Sequence, residues 1–121
     1  MQERRRFVRL KVKLYIGYKA LDPSQLEGHC WSRDISIAGI GLVMKDKVEF
    51  GTIMELRIGL QDKLKPLVTK AKVFWQVESP LPHEDGGKCY RTGLIFTSLA
   101  EEEKNRLDNF IGGFLRTHNN N

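Results

Sequence analysis

The sequence has no run of apolar residues long enough to cross a bilayer; its hydrophobic stretches are short and interrupted by charge. Met1 is followed by five polar or basic residues, Gln2 to Arg6, rather than an apolar segment, so no secretory leader is visible and a cytoplasmic location is expected. There are only two cysteines, Cys30 and Cys89, too few for a disulfide framework and without metal-ligand spacing. Packed, reduced thiols are therefore expected. The three histidines, His29, His83 and His118, are scattered, and His29 beside Cys30 lacks the second pair that would complete a metal site. No nucleophile–base pair and no paired carboxylates emerge, so catalysis is not expected. Helical periodicity is also scarce and is confined to the C-terminal end.

The sequence does contain enough apolar material for one domain: 121 residues, 40% of them hydrophobic, can bury a core of their own. The formal net charge of +5 is unevenly placed. Residues 1–19 hold seven basic groups against one acid, whereas the other 102 residues hold thirteen against fourteen. All of the excess charge thus lies in the N-terminal segment, as in an anion-binding arm or edge.

Most of the chain alternates with a period of two. Leu10, Val12, Leu14, Ile16 and Tyr18 share one face of an expected strand, with Arg9, Lys11 and Lys13 between them. After a polar connection at Asp22–Ser24, a second strand passes through His29-Cys30-Trp31, where Trp31 is assigned to packing, and leads to a third over Ile40–Met44. Met54, Leu56, Ile58 and Leu60 alternate again, and Val73, Trp75 and Val77 mark a strand that ends before Pro80. The turn residues Glu84 to Gly87 join it to Cys89–Phe96 as a hairpin. Helical spacing appears only in Leu107, Phe110, Ile111, Phe114 and Leu115, preceded by Ser98 and Glu101 in the pattern of a capping box; a helix over 98–116 is expected. About six strands and one helix predict a small antiparallel barrel closed by the helix.

Two groups of residues could carry chemistry. Arg4, Arg5, Arg6 and Arg9 present guanidinium forks suited to phosphate or to the O6/N7 edge of guanine, although a solvated basic tail would look the same. Asp34, Ser36 and Gly39, in Asp-x-Ser-x-x-Gly, taken alone describe a strand–turn–strand in which the side chains satisfy their own backbone.

Together, Arg5-x-x-x-Arg9 followed by Asp34-x-Ser36-x-x-Gly39 resembles the signature of the PilZ domain, a bacterial receptor module for cyclic di-GMP. The strands at Val73-Phe74-Trp75 and Tyr90–Phe96 and the closing helix look like their PilZ counterparts, so the resemblance covers the chain. It implies a mainly β fold, a six-stranded antiparallel PilZ-type β-barrel with a C-terminal α-helix, as a single domain over 1–121 whose residues 1–9 form a flexible Arg-rich switch segment. It also implies a cyclic di-GMP site built from Arg4, Arg5, Arg9, Asp34, Ser36 and Gly39. Arg5 and Arg9 suit phosphate and guanine, Asp34 the guanine N1–H and N2–H₂, Ser36 phosphate or a guanine amine, and Gly39 close approach of a flat base. Arg4 before the motif implies two ligand molecules per domain. Trp75 either borders the ligand or, by alternation with Val73 and Val77, fills the core.

No metal or other cofactor is expected. The partners implied are cyclic di-GMP and a protein effector in motility, exopolysaccharide production or transcription, reached by a ligand-driven change of conformation. Two other readings remain: a small basic barrel that binds nucleic acid directly, which the slightly acidic body disfavours, and a PilZ interaction module that has lost its ligand.

Overall fold

Alternating apolar residues build nearly all of the molecule, whose computed structural model describes residues 8–21 and 26–119. The strands are β1 (Leu10–Lys11), β2 (Tyr15–Ala20), β3 (Glu27–Ile35), β4 (Gly39–Met44), β5 (Ile53–Ile58), β6 (Leu67–Glu78) and β7 (Tyr90–Phe96), followed by helix α1 (Glu101–Asn119). Every pairing is antiparallel. Strands β2, β3, β4, β7, β6 and β5 follow one another around a closed circuit, and β1 lies as an extra short strand beside the end of β3. This is the six-stranded barrel with a C-terminal helix that the sequence predicts. Closure leaves the six barrel strands without a free edge over their paired length.

The alternation expected from Leu10 to Tyr18 is kept, but the strand is broken into β1 and β2. At the break the buried Ser32 hydroxyl donates to the Val12 carbonyl at 2.6 Å and accepts the Leu14 N–H at 2.8 Å. The side chain thus serves two backbone groups at the break, while the Val12 N–H still donates to the Arg33 carbonyl at 3.2 Å and the Ser32 N–H to the Leu14 carbonyl at 2.9 Å.

Leu14, Ile16, Ile35, Ile40, Leu42, Met54, Leu56, Ile58 and Leu67 are fully buried in one core. Leu107 and Ile111 of α1 join that core, with Phe110, Phe114 and Leu115 packed against it. The helix begins later than predicted. The Glu103 carboxylate accepts the Ala100 N–H at 3.2 Å, so the capping interaction lies two residues beyond the expected Ser98–Glu101 pair. The Ser98 carbonyl instead accepts the Thr69 hydroxyl at 3.3 Å, tying the approach to the helix onto β6. Arg106 then holds Asp62 in the β5–β6 connection at 3.1 Å, and this hydrogen bond keeps the Asp62 carboxyl below its ordinary range.

Both cysteines are buried and free, and desolvation pushes the Cys30 thiol up to about 12. Trp31, expected in the packing, lies outside the barrel: its ring is 5.0 Å from that of Tyr15 and beneath the Lys13 ammonium. Its neighbours Cys30 and Ser32 take the inward positions.

Candidate functional site

Two β-bulges decide which side chains reach the outer face. Opposite β4, Ser32 pairs with Leu42 but Asp34 pairs with Gly41, leaving Arg33 as one residue more than β4 has across from it. Ser32 and Ile35 are therefore both buried while Asp34 between them turns outward. Opposite β7, Val73 pairs with Leu94 and Trp75 with Gly93, so Phe74 is the second extra residue. Strict alternation would have sent Trp75 and Val77 inward with Val73. The bulge reverses this: Val73 is buried, Trp75 is 43% exposed and Val77 is exposed as well. The core alternative for Trp75 is thereby excluded.

Because Gly41 pairs with Gly93, the two bulges bring Asp34, Gly41, Gly93 and Trp75 into one row across four strands. The glycines are required by what lies over them. A Cβ on Gly41 would stand 2.6 Å from Asp34 Oδ1, and one on Gly93 would stand 2.2 Å from Trp75 Nε1. The carboxylate and the indole thus lie against a floor that has no side chains of its own. Gly93→Ala should lift the indole off this floor while sparing the core; in a Trp31→Phe background, red-shifted tryptophan emission with an unchanged melting temperature is the expected result.

Arg9 completes the site. Its Nη1 donates to Asp34 Oδ1 at 2.7 Å, with the two side chains 44% and 24% exposed. At that exposure an ion pair contributes about 0.2–1 kcal/mol, so a ligand with better partners for both groups can displace it. Above the row is a cleft of about 390 Å³, also lined by Arg33, Phe74, Thr92 and Ile95, which is within the usual size of small-molecule sites.

Ser36 and Gly39 sit beside the cleft but do not line it. The buried Ser36 Oγ accepts the Ala38 N–H at 3.0 Å and the Gly39 N–H at 3.3 Å, fixing the β3–β4 turn that follows Asp34. A Cβ on Gly39 would come within 2.2 Å of the Leu94 carbonyl oxygen, so contact between β4 and β7 already demands glycine there. Arg4 and Arg5 lie outside the described residues, as does most of the segment 1–9. The sequence reading missed Gly41, Gly93, Arg33 and Phe74. The available signal was a glycine inside each of two apolar strands, a mark of close approach or of a nearby bulge.

The sequence model of the PilZ domain family matches residues 3–113. The chain belongs to the PilZ domain family. Among solved structures, the PilZ domain with c-di-GMP of YcgR from Escherichia coli superimposes with a TM-score of 0.74 at 14% identity, covering 96% of this chain and 95% of that one. The Bacillus subtilis inhibitor of motility, MotI/DgrA, gives 0.72 at 23% identity over 95% of this chain and 53% of its own. The K. pneumonia MrkH–c-di-GMP complex gives 0.73 at 13% identity over 97% and 55%. This PilZ domain therefore spans nearly all of the first of these and about half the length of the other two. No curated protein matches it in sequence. Among the described residues no helix is long and apolar enough to cross a membrane.

Proposed function

We propose that this PilZ domain is a receptor for cyclic di-GMP and carries the signal to a protein effector. The supporting observation is Arg9 resting on Asp34 above the Gly41–Gly93 floor, with the Trp75 indole at its far end. Cyclic di-GMP combines two phosphates with two guanines. Asp34 offers acceptors for a guanine N1–H and N2–H₂, and Arg9, released from Asp34, turns its fork to a phosphate or to O6/N7. The flat base then lies over the two glycines, bordered by the indole. Ser36 and Gly39 act by holding the turn that presents Asp34.

Arg4 and Arg5, a few residues before Arg9, add phosphate and second-guanine contacts, and with them the site takes two nucleotides. Ligand phosphates neutralise the arginine cluster, and the segment 1–9 closes over them, changing the surface offered to a partner. The partner acts in motility, exopolysaccharide production or transcription, in the cytoplasm, and the nucleotide is released unhydrolysed.

Titration calorimetry with cyclic di-GMP tests this directly. Two nucleotides per chain are expected, and Arg9→Ala should weaken binding by at least about tenfold with its thermal melt unchanged. Absence of binding would overturn the proposal, as would tighter binding of single-stranded DNA at physiological salt.

A further inference from the structure

A second cleft, of about 420 Å³, adjoins the first, and Arg33 lines both. Trp31, Val43 and Leu81 give it apolar walls, with Leu81 69% exposed, while Lys11, Lys13 and Arg33 supply cations. Glu84 is the single carboxylate among its described lining residues. Glu84 reaches Lys13 only at 3.8 Å with both side chains largely exposed, a geometry that leaves Lys13 available to another anion.

The wall formed by residues 79–89 is built in advance. Ser79 N–H donates to the Cys89 carbonyl at 2.9 Å and His83 N–H to the Gly87 carbonyl at 2.7 Å. Asp85 is anchored by Lys45, whose hydrogen bond holds the Asp85 carboxyl down at about 2. Since that folded-state value lies below the ordinary one, the anchor is intact at neutral pH and is lost only as pH falls toward 2.

We propose that this cleft docks the effector: an acidic segment of a partner protein seats an apolar side chain between Trp31 and Leu81 and sets carboxylates against Lys11, Lys13 and Arg33. Charge complementarity and the apolar walls favour this occupant. Cations beside aromatic rings could also suit single-stranded nucleic acid, but bases need open ring faces. Here Tyr15 is stacked on His29, with centroids 5.1 Å apart and planes within 4°, and Lys13 covers one face of Trp31 at 5.0 Å. The inference extends the receptor reading, because Arg33 borders both clefts and so links occupancy of one to occupancy of the other.

The test is selection from a displayed library of random peptides on the immobilised full chain, without nucleotide, with labelled single-stranded DNA in a parallel arm. Enrichment of acidic sequences around an apolar residue is expected, and Leu81→Asp and Lys13→Glu should each weaken the selected peptides by at least about tenfold. Adding cyclic di-GMP should change peptide affinity by at least about threefold. Basic or unenriched sequences, binding indifferent to Leu81→Asp, affinity unmoved by nucleotide that calorimetry shows to be bound, or DNA binding lost in Lys13→Glu would each overturn the docking site. If calorimetry shows no nucleotide binding while the peptides behave as expected, the receptor reading falls and the docking site stands.

Discussion

Asp34→Ala should weaken cyclic di-GMP binding by about 2–4 kcal/mol, roughly 30- to 1,000-fold, with little change in melting temperature. The direction follows from two opposed effects of unequal size. Removing the carboxylate frees Arg9 from its ion pair, which favours the ligand by no more than about 1 kcal/mol because the pair is partly open to solvent. It also leaves the guanine N1–H and N2–H₂ without charged acceptors, and losing hydrogen bonds to a charged group costs more than that. Stability should hold because Asp34 faces outward and its buried neighbours Ser32 and Ile35 are untouched. Asp34→Asn, which keeps the shape but offers one acceptor oxygen, should fall between alanine and the parent. Calorimetry and circular dichroism on the same preparations decide the matter; affinity retained in Asp34→Ala would remove Asp34 from the site.

Gly39→Ala should have the opposite profile, a loss of about 2–4 kcal/mol of stability and a melting temperature lower by about 10 °C. The added Cβ would meet the Leu94 carbonyl oxygen at 2.2 Å, and that atom belongs to a paired strand rather than to a movable side chain. Relief requires β4 and β7 to separate, although Ile40 and Leu94 between them are buried in the core. At Gly93, by contrast, the obstructing atom is the indole of a half-exposed side chain, which can rotate away. Denaturant unfolding of the two variants should separate these roles. A stable Gly39→Ala that fails to bind nucleotide would instead assign Gly39 to the ligand.

The barrel was readable because its strands alternate: Met54 to Leu60 fall where expected, Leu10 to Tyr18 keep their inward face across the break between β1 and β2, and the α1 stripe follows its own helical spacing. The readings that failed lie at irregularities. An alternation count assumes that facing strands contribute equal numbers of residues, and nothing about Phe74 announces that it is supernumerary, so Trp75 remained undecided until its register with Gly93 was known. Ser32 gave no sign that its hydroxyl would break a strand, since that depends on which backbone groups come to face it. The motif residues Arg9 and Asp34 were legible as types, and the fold adds that they meet at 2.7 Å. Gly39 was legible as a special position, but for a reason visible only once β7 lies beside it.

The row Asp34, Gly41, Gly93 and Trp75 has a consequence for how such a domain can change. Its side chains stand outside the barrel, while Ile35, Leu42 and Leu94 next to it in sequence, and Val73 on the other side of the Phe74 bulge, are buried. Recognition and robustness are thus written on opposite faces of the same strands. On the receptor reading proposed above, substitutions in the row retune ligand preference without eroding the interior, and thermostabilising core substitutions accumulate without dulling recognition. The two glycines belong to the same outer face: a Cβ at Gly41 or Gly93 meets only the side chain of Asp34 or Trp75, so substitution there disturbs the row rather than the interior.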